Sequence, residues 1–402
     1  MDTVYDFDRA TKVEREKAPI RVQEYFRLVK MVVHIIVSRC VLFVWRRVFL
    51  GLRTPTKRCR PSSVAVYAQG MLGDVAVHIP AIAALRQHYP NARITCVCYS
   101  EGFPIGDLLQ QLPWIDELQV LDDQPVMRRG LRLVFSDQGL ARLKADLFVN
   151  LSPFVNRGVP GFVAREMAFA RMIGARWYLG DTLSLYGVPA WTNSVKRLFV
   201  RNEPRRGWRV LAPLGITPED APESPLPVDP ACLTTLDLPA GPFAVVHPGA
   251  KHEVKLWPAE YYAEVVQHLT RDRGLTVLVT GSAGESFIAD KVSAGGGGQA
   301  INLAGKTTLT QLIALLARAR IVVCNDTGPM HLAGLLNRPT VALFGTRIPV
   351  KHWYPLGDHT TVMMHYHKDS FSYDDEGRVP HRMEAIKPSD VIPEIDKLLC
   401  AS

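Results

Sequence analysis

Ile321-Val322-Val323-Cys324-Asn325-Asp326-Thr327-Gly328-Pro329-Met330-His331 is the stretch on which the reading of this chain turns. Four apolar, mostly β-branched residues at 321–324 predict a short buried strand; a polar turn comes next, and 330–336 reads as a helix. Pro329 suits the first turn of a helix, where a missing N–H is no loss, and leaves the Thr327 and Gly328 amides facing outward to meet an anion. Strand, polar turn and helix in this order make one unit of a parallel α/β sheet, in which ligands collect at the carboxyl ends of the strands.

The same alternation runs outward from this unit. Strands are expected at 243–247, 275–280 and 340–344, helices at 258–273, 286–293 and 309–319, a flexible loop at 295–298, and a final helix at about 388–399. A separate series begins at Ser62, with strands at 64–67, 93–98, 118–121 and 146–151 and helices at 74–88, 139–144 and 162–173. Prolines and charges accumulate between the two series, as in Thr217-Pro218-Glu219-Asp220-Ala221-Pro222. That is linker material rather than core. The expected fold class is α/β with two Rossmann-like domains facing a central cleft: an N-terminal amphipathic helical extension over 1–61, a first domain over 62–215, a linker over 216–241, a second domain over 242–387 and a C-terminal helix over 388–402. A length of 402 residues suits two such cores.

Composition narrows the class. With 47% hydrophobic and 21% charged residues the chain is globular, and seven cysteines without regular spacing argue for a reducing compartment and against a disulfide scaffold. His365 and His367 have no cysteine at zinc-ligand spacing. A net charge of +8 suits an anionic partner. Around the apolar stretch 26–50, Gln23, Arg27, Lys30, His34 and Ser38 form a polar stripe opposite Leu28, Met31, Val32, Ile35 and Ile36. This predicts an amphipathic helix lying on a membrane surface, because Arg39 in the middle of a spanning helix would cost about 3 kcal/mol.

Four turns carry candidate chemistry. Gly70-Met71-Leu72-Gly73-Asp74 comes after the first strand and sets a carboxylate at a helix start, where Asp74 serves either as a base or as a helix cap. His247-Pro248-Gly249-Ala250 leads into Lys251 and Lys255, cations suited to a diphosphate. Thr280-Gly281-Ser282-Ala283-Gly284-Glu285 places an acid where ribose hydroxyls would meet it, or else Glu285 is an exposed surface glutamate. In the fourth turn, His331 offers a hydrogen bond or a charge to a phosphate, or sits as a satisfied core histidine. Neither domain has the glycine fingerprint of a dinucleotide site, which argues against an NAD-dependent dehydrogenase.

Together, Gly73-Asp74, Pro80-Ala81, the segment from Pro248-Gly249 to Lys255, Trp257 and Pro258, and Asn325 to His331 resemble glycosyltransferase family 9, the lipopolysaccharide heptosyltransferases. Leu303-Ala304-Gly305-Lys306-Thr307 and Ala342-Leu343-Phe344-Gly345 resemble its pattern too, so that the likeness covers about 62–399. The resemblance implies the GT-B fold and inverting, metal-independent transfer, without a cofactor, from ADP-heptose to a lipopolysaccharide core or other envelope glycan. By position it implies Asp74 as catalytic base, with Gly73 and Gln69 on the acceptor side. Lys255, Gly281, Glu285, Asp326, Thr327, Gly328 and His331 would hold the donor. It also implies a cytoplasmic enzyme peripheral to the inner face of the membrane, with a sugar nucleotide, a glycan acceptor and a membrane surface as partners and no nucleic acid. Gln69-Gly70 departs from the Ser-Ser pair of many members, and 365–382 lacks their Cys-containing stretch. The alternatives are a nucleotide-sugar epimerase, which needs no acceptor, and a non-catalytic sugar-nucleotide-binding protein of envelope assembly.

Overall fold

Runs of β-branched and aliphatic residues with no polar alternation can only be strands covered on both faces, and this is how they are used. In a computed structural model of the chain, which describes residues 37, 40–41, 43–99, 104–121, 126–128, 132–134, 143–152, 160–180, 205–297, 300–345, 353–364 and 383–401, β1 (Ser63–Tyr67), β2 (Arg93–Tyr99), β3 (Glu117–Leu121), β6 (Leu147–Asn150) and β7 (Trp177–Leu179) form a parallel sheet in the order β3-β2-β1-β6-β7. A second parallel sheet is built from β8 (Phe243–His247), β9 (Thr276–Val279), β10 (Ala300–Asn302), β11 (Val322–Asn325), β12 (Thr340–Phe344) and β13 (Thr360–Met364). Its order is β10-β9-β8-β11-β12-β13. Every residue of β8, β11 and β12 is buried. Both orders reverse direction once, between β1 and β6 and between β8 and β11, and such a switch point opens a crevice beyond the strand ends.

Both sheets are packed by helices with local reasons to form. Helix Leu309–Arg318 opens on a capping box, in which the Thr308 hydroxyl accepts from the Gln311 amide (3.2 Å) and the Gln311 side chain accepts from the Thr308 amide (2.8 Å). Its apolar face supplies Ile313, Leu315 and Leu316 to the interior. The C-terminal helix, Pro388–Ala401, joins the second core through Val391 and Ile395. His268 fastens it further by bonding both Asp272 and Asp396 at 2.8 Å, and Arg273 pairs with Asp396 at 2.6 Å.

Several expectations change. The helix foreseen at 74–88 is two helices, Leu72–Ala76 and Ile79–His88, because Pro80 has no N–H to give to the Ala76 carbonyl. Strands β7, β10 and β13 were not foreseen, nor was the antiparallel pair β4 (Val126–Arg128) and β5 (Arg132–Val134). Leu143 and Lys144 are not helical; the rest of 139–144, most of the amphipathic stretch 23–38, and 365–382 lie outside the described residues. The proline-rich stretch at 216–241 is short 3-10 turns anchored by buried Ile216, Leu226 and Leu233. The chain divides into two compact units at Pro225 and Leu226, within that stretch. Trp114 Nε1 donates to the Pro225 carbonyl at 2.6 Å on one side of the division, and Gln311 Nε2 donates to Thr235 at 2.8 Å on the other. The described cysteines are all free; burial in β2 raises the Cys98 thiol to about 11, so it stays protonated.

Helix Gly328–Leu335 is held by the close approach of Gly334 to the Leu356 backbone, since a Cβ on Gly334 would run into the Leu356 carbonyl oxygen. Helix propensity favours alanine over glycine by about 1 kcal/mol, but a rigid backbone cannot yield to the added methyl. Gly334→Ala is therefore expected to destabilise the protein by about 1–3 kcal/mol in urea unfolding, and an equal or higher midpoint would show that the approach is not tight.

Candidate functional site

The candidate donor site lies where β8 and β11 end, at the switch point of the second sheet. Beyond β11 the chain turns through Asp326 and enters helix Gly328–Leu335, with Thr327 as N-cap. The Thr327 hydroxyl does not cap the helix; it donates to the Asn325 carbonyl at 3.3 Å. The first amides of the helix thus point outward with a partial positive charge. Beyond β8 the chain passes Pro248 and Gly249 and reaches Lys255 at the end of a short 3-10 turn, Glu253–Lys255. Lys255 Nζ sits 2.6 Å from Asp326 Oδ2 and donates to the Asp326 carbonyl at 3.3 Å. Both side chains are largely buried. Residues 71 apart in sequence thus form one ion pair.

The loop between β9 and helix Ser286–Gly295 comes to the same edge. Glu285 Oε2 accepts from the Ser282 amide and hydroxyl, both at 2.7 Å. Its carboxylate lies so close to Gly249 that a Cβ there would collide with it. Gly281 carries the Glu285 side chain on one side and accepts the Gly305 amide through its carbonyl at 2.9 Å. Gly305 has φ +71° and its missing Cβ would strike Ala283, so glycine is required there. Glu285 is therefore seated by its neighbours, with an acid at the strand end and small residues beside it.

His331 is buried one turn into its helix, its ring edge-on to Trp353 at 6.1 Å. Burial lowers its pKa to about 4; Asp326 pulls the value partly back and Lys255 pushes it further down. The imidazole is neutral at neutral pH, so of the two expected contributions to a phosphate only the hydrogen bond remains. Among the described residues, its Nδ1 is a buried nitrogen with no hydrogen-bond partner, an arrangement that costs roughly 1–3 kcal/mol unless a ligand meets it. Burial likewise keeps His247 below the usual histidine value against the opposing pull of Glu285, and its Nδ1 lies 3.1 Å from the Thr280 hydroxyl.

In the first unit, β1 runs out at Tyr67 and the turn brings Asp74 into the third position of helix Leu72–Ala76. Asp74 is buried and its Oδ2 accepts from the Met71 amide at 2.7 Å. The capping role considered for it is thus real. A carboxylate has about four acceptor sites, and this bond is compatible with a second role. The turn's special glycine is Gly70, not Gly73: Gly70 has φ +136°, and its missing Cβ would overlap the Asp74 side chain, whereas Gly73 is simply buried. Gln69 Oε1 accepts from the Tyr99 amide at 3.0 Å and so ties the end of β1 to the end of β2.

One residue of the candidate donor turn, quoted in its motif, has a role that its place in the sequence does not reveal. Asn325 is fully buried: its Oδ1 accepts from the Tyr262 hydroxyl at 3.0 Å and the Trp257 amide at 3.4 Å, while its Nδ2 donates to the Pro248 carbonyl at 2.8 Å. An asparagine at the end of a buried apolar strand was the available signal. Among the described residues no group of histidine, cysteine and carboxylate side chains has the arrangement of a metal site.

Removing one member of the Lys255–Asp326 pair leaves a largely buried charge without its partner, which costs up to about 3–5 kcal/mol. Lys255→Ala is expected to lower both melting temperature and affinity for ADP. Lys255→Ala/Asp326→Ala should restore the melting temperature and not the affinity, as read by calorimetry, whereas recovery of both would mean that Lys255 only neutralises Asp326.

Residues 207–377 match the family model described as Glycosyltransferase family 9 (heptosyltransferase). The chain is 25% identical over 348 residues to lipopolysaccharide heptosyltransferase 3 of Escherichia coli, covering 82% of this chain and 97% of that protein. It is 31% identical over 165 residues to lipooligosaccharide heptosyltransferase 2 of Haemophilus influenzae, covering 38% of this chain and about half, 46%, of that protein's length. Among solved structures it is similar to a glycosyl transferase family 9 protein of Veillonella parvula, with a TM-score of 0.64, 23% identity and coverage of 85% and 98% of the two chains. It is similar as well to the E. coli ADP-heptose lps heptosyltransferase II, with a TM-score of 0.60, 23% identity and coverage of 84% and 99%. These likenesses show the GT-B fold class, with its paired α/β domains.

Proposed function

We propose that the chain is a glycosyltransferase family 9 enzyme, as the match over 207–377 and the likeness to E. coli lipopolysaccharide heptosyltransferase 3 support, and that it transfers heptose from ADP-heptose, with inversion, to a glycan of the lipopolysaccharide core at the cytoplasmic side of the envelope. The observation that carries the donor side is the convergence of Lys255, Asp326, His331 and Glu285 at the switch point of the second sheet. The helix amides at Thr327 and Gly328 and the Lys255 ammonium meet the diphosphate, His331 Nδ1 adds a neutral hydrogen bond, and Glu285 receives the ribose hydroxyls. Asp326 holds Lys255 until the diphosphate offers it a stronger partner.

In the chemical step the acceptor hydroxyl gives its proton to Asp74 as its oxygen bonds to the anomeric carbon. The bond from that carbon to the phosphate oxygen breaks, and ADP leaves with the electron pair. A single displacement of this kind inverts the anomeric centre. Negative charge grows on the departing diphosphate, where Lys255 and the helix amides are already directed, so fixed protein charge takes the place of a divalent cation. Catalysis without a metal is part of the proposal, and activity undiminished by a chelator is its check.

Asp74→Asn tests the base directly. The amide oxygen still accepts from Met71, so melting temperature and ADP-heptose affinity should stay near wild type. Transfer, measured as ADP release with a lipopolysaccharide-core acceptor, should fall by about 10²–10⁴-fold, the usual contribution of a general base. An Asp74→Asn enzyme that turns over normally would leave Asp74 as a cap alone, and product formed without any acceptor would make the protein an epimerase.

A further inference from the structure

His247 ends β8, the strand at which the order of the second sheet reverses. On one side it pairs with Cys324 of β11; on the other, β9 gives way to Thr280, whose amide donates to the Val246 carbonyl at 2.9 Å. A histidine is an expensive choice here. Phe243-Ala244-Val245-Val246 before it are apolar, His247 is buried as they are, and burial holds its imidazole below the ordinary pKa and neutral. Another apolar residue would fill the place without a polar atom to satisfy.

One ring nitrogen is accounted for within the fold. Nδ1 lies 3.1 Å from the hydroxyl of buried Thr280, which sets the plane of the ring and directs Nε2, on the far edge, away from Thr280. The anion that acts on this ring is Glu285. Thr280 opens the loop that carries Glu285, and the Glu285 carboxylate fills the space of the missing Cβ of Gly249, two residues beyond His247. Oε2 of that carboxylate is fastened by Ser282, and both of its oxygens reach the Gly249 turn.

We propose that His247 is the second half of the ribose site, its Nε2–H donating to the oxygen of a ribose hydroxyl whose own proton goes to Glu285. This rests on the reading of Glu285 as the ribose acid. A carboxylate offers only acceptors, whereas a hydroxyl both donates and accepts, so an acid alone answers half of what each hydroxyl presents. The Thr280 hydroxyl has two acceptors in reach, Nδ1 at 3.1 Å and the Val246 carbonyl at 3.5 Å. It gives its proton to the nearer, and the single N–H of the neutral imidazole then stands on Nε2. A neutral ring donates without closing an ion pair with Glu285, so the carboxylate stays available to the ligand. The two side chains together select a nucleotide with an intact ribose.

Calorimetry of the full-length protein with ADP and with 2′,3′-dideoxy-ADP tests this. Wild type should bind ADP more tightly. In His247→Asn the shorter amide still meets Thr280 and nothing reaches the place of Nε2; affinity for ADP should fall by about fivefold or more, the usual effect of losing one hydrogen bond, with affinity for dideoxy-ADP unchanged. His247→Gln, whose longer amide brings an N–H to that place, should recover most of the loss. An Asn variant that weakens both nucleotides alike, or neither, would overturn the proposal, as would a Gln variant no better than Asn. Should the variants not fold, proton NMR of wild type decides: the Nε2–H of His247 should shift and exchange more slowly with ADP and not with dideoxy-ADP, and an equal response to both refutes it. Glu285→Ala separates the two levels. If it loses the preference for ADP while His247→Asn keeps it, His247 alone is excluded; a wild type without that preference removes the ribose reading of Glu285 and this proposal with it.

Discussion

The candidate donor site at the switch point of the second sheet depends on one buried amide. Asn325 ends β11 inside the second unit and uses both ends of its side chain, accepting from Trp257 and Tyr262 and donating to the loop carbonyl of Pro248. Three segments far apart in sequence are thereby held together: the exit from β8, the entry to helix Ala259–Gln267, and the exit from β11. Lys255 is two residues from Trp257, and Asp326 is the next residue after Asn325, so the ion pair inherits its geometry from the amide. An apolar residue of similar size would leave several buried polar groups unpaired at about 1–3 kcal/mol each. A carboxylate there would face the Pro248 carbonyl with no donor to give. Only a side chain that both donates and accepts completes the junction.

Topology explains why these turns meet. Both sheets reverse once, and the segments on either side of a reversal leave in opposite directions, opening a space at the strand ends. In the second sheet that space is bordered by Gly249, Lys255 and Asp326, and its charge is set by a helix N-terminus with an internal ion pair. In the first sheet the corresponding edge has Asp74 after β1 and Asn150 at the end of β6. Asn150 is buried there, donating to Glu166 at 2.6 Å and accepting from the Ser152 amide at 3.1 Å. The same arrangement of strands thus presents the Lys255–Asp326 pair beside a helix N-terminus at one edge and Asp74 with Asn150 at the other, a difference set by the turn after each strand rather than by the strands.

How much could be read in the sequence depends on the range of the interactions. Strands β1, β2, β8, β11 and β12 were legible because burial on both faces leaves an uninterrupted apolar run. Strands β7 and β10 have three residues each, too few to show a period, and β13 opens on two threonines. The turns that hold the candidate site residues were legible because each comes directly after a strand. Their partners were not: Lys255 with Asp326, Glu285 against Gly249, and Asn325 with Pro248 are pairings that only the folded sheet creates. Gly73 drew attention for standing beside Asp74, yet the demand for glycine falls on Gly70, where the Asp74 side chain turns back over the chain. His331 was legible as a candidate residue of its turn but not as a neutral one, since its charge state is set by burial that no local pattern reports.

The second sheet's switch point is, on this account, a diphosphate site in which Lys255 exchanges one anion for another. A crystal structure of the ADP complex tests this most directly. The expected result is diphosphate oxygens hydrogen-bonded to the Thr327 and Gly328 amides and to Lys255 Nζ, His331 Nδ1 directed at a phosphate oxygen, and Glu285 on the ribose hydroxyls. Nucleotide bound away from helix Gly328–Leu335, with the Lys255–Asp326 pair closed as it is without ligand, would contradict it.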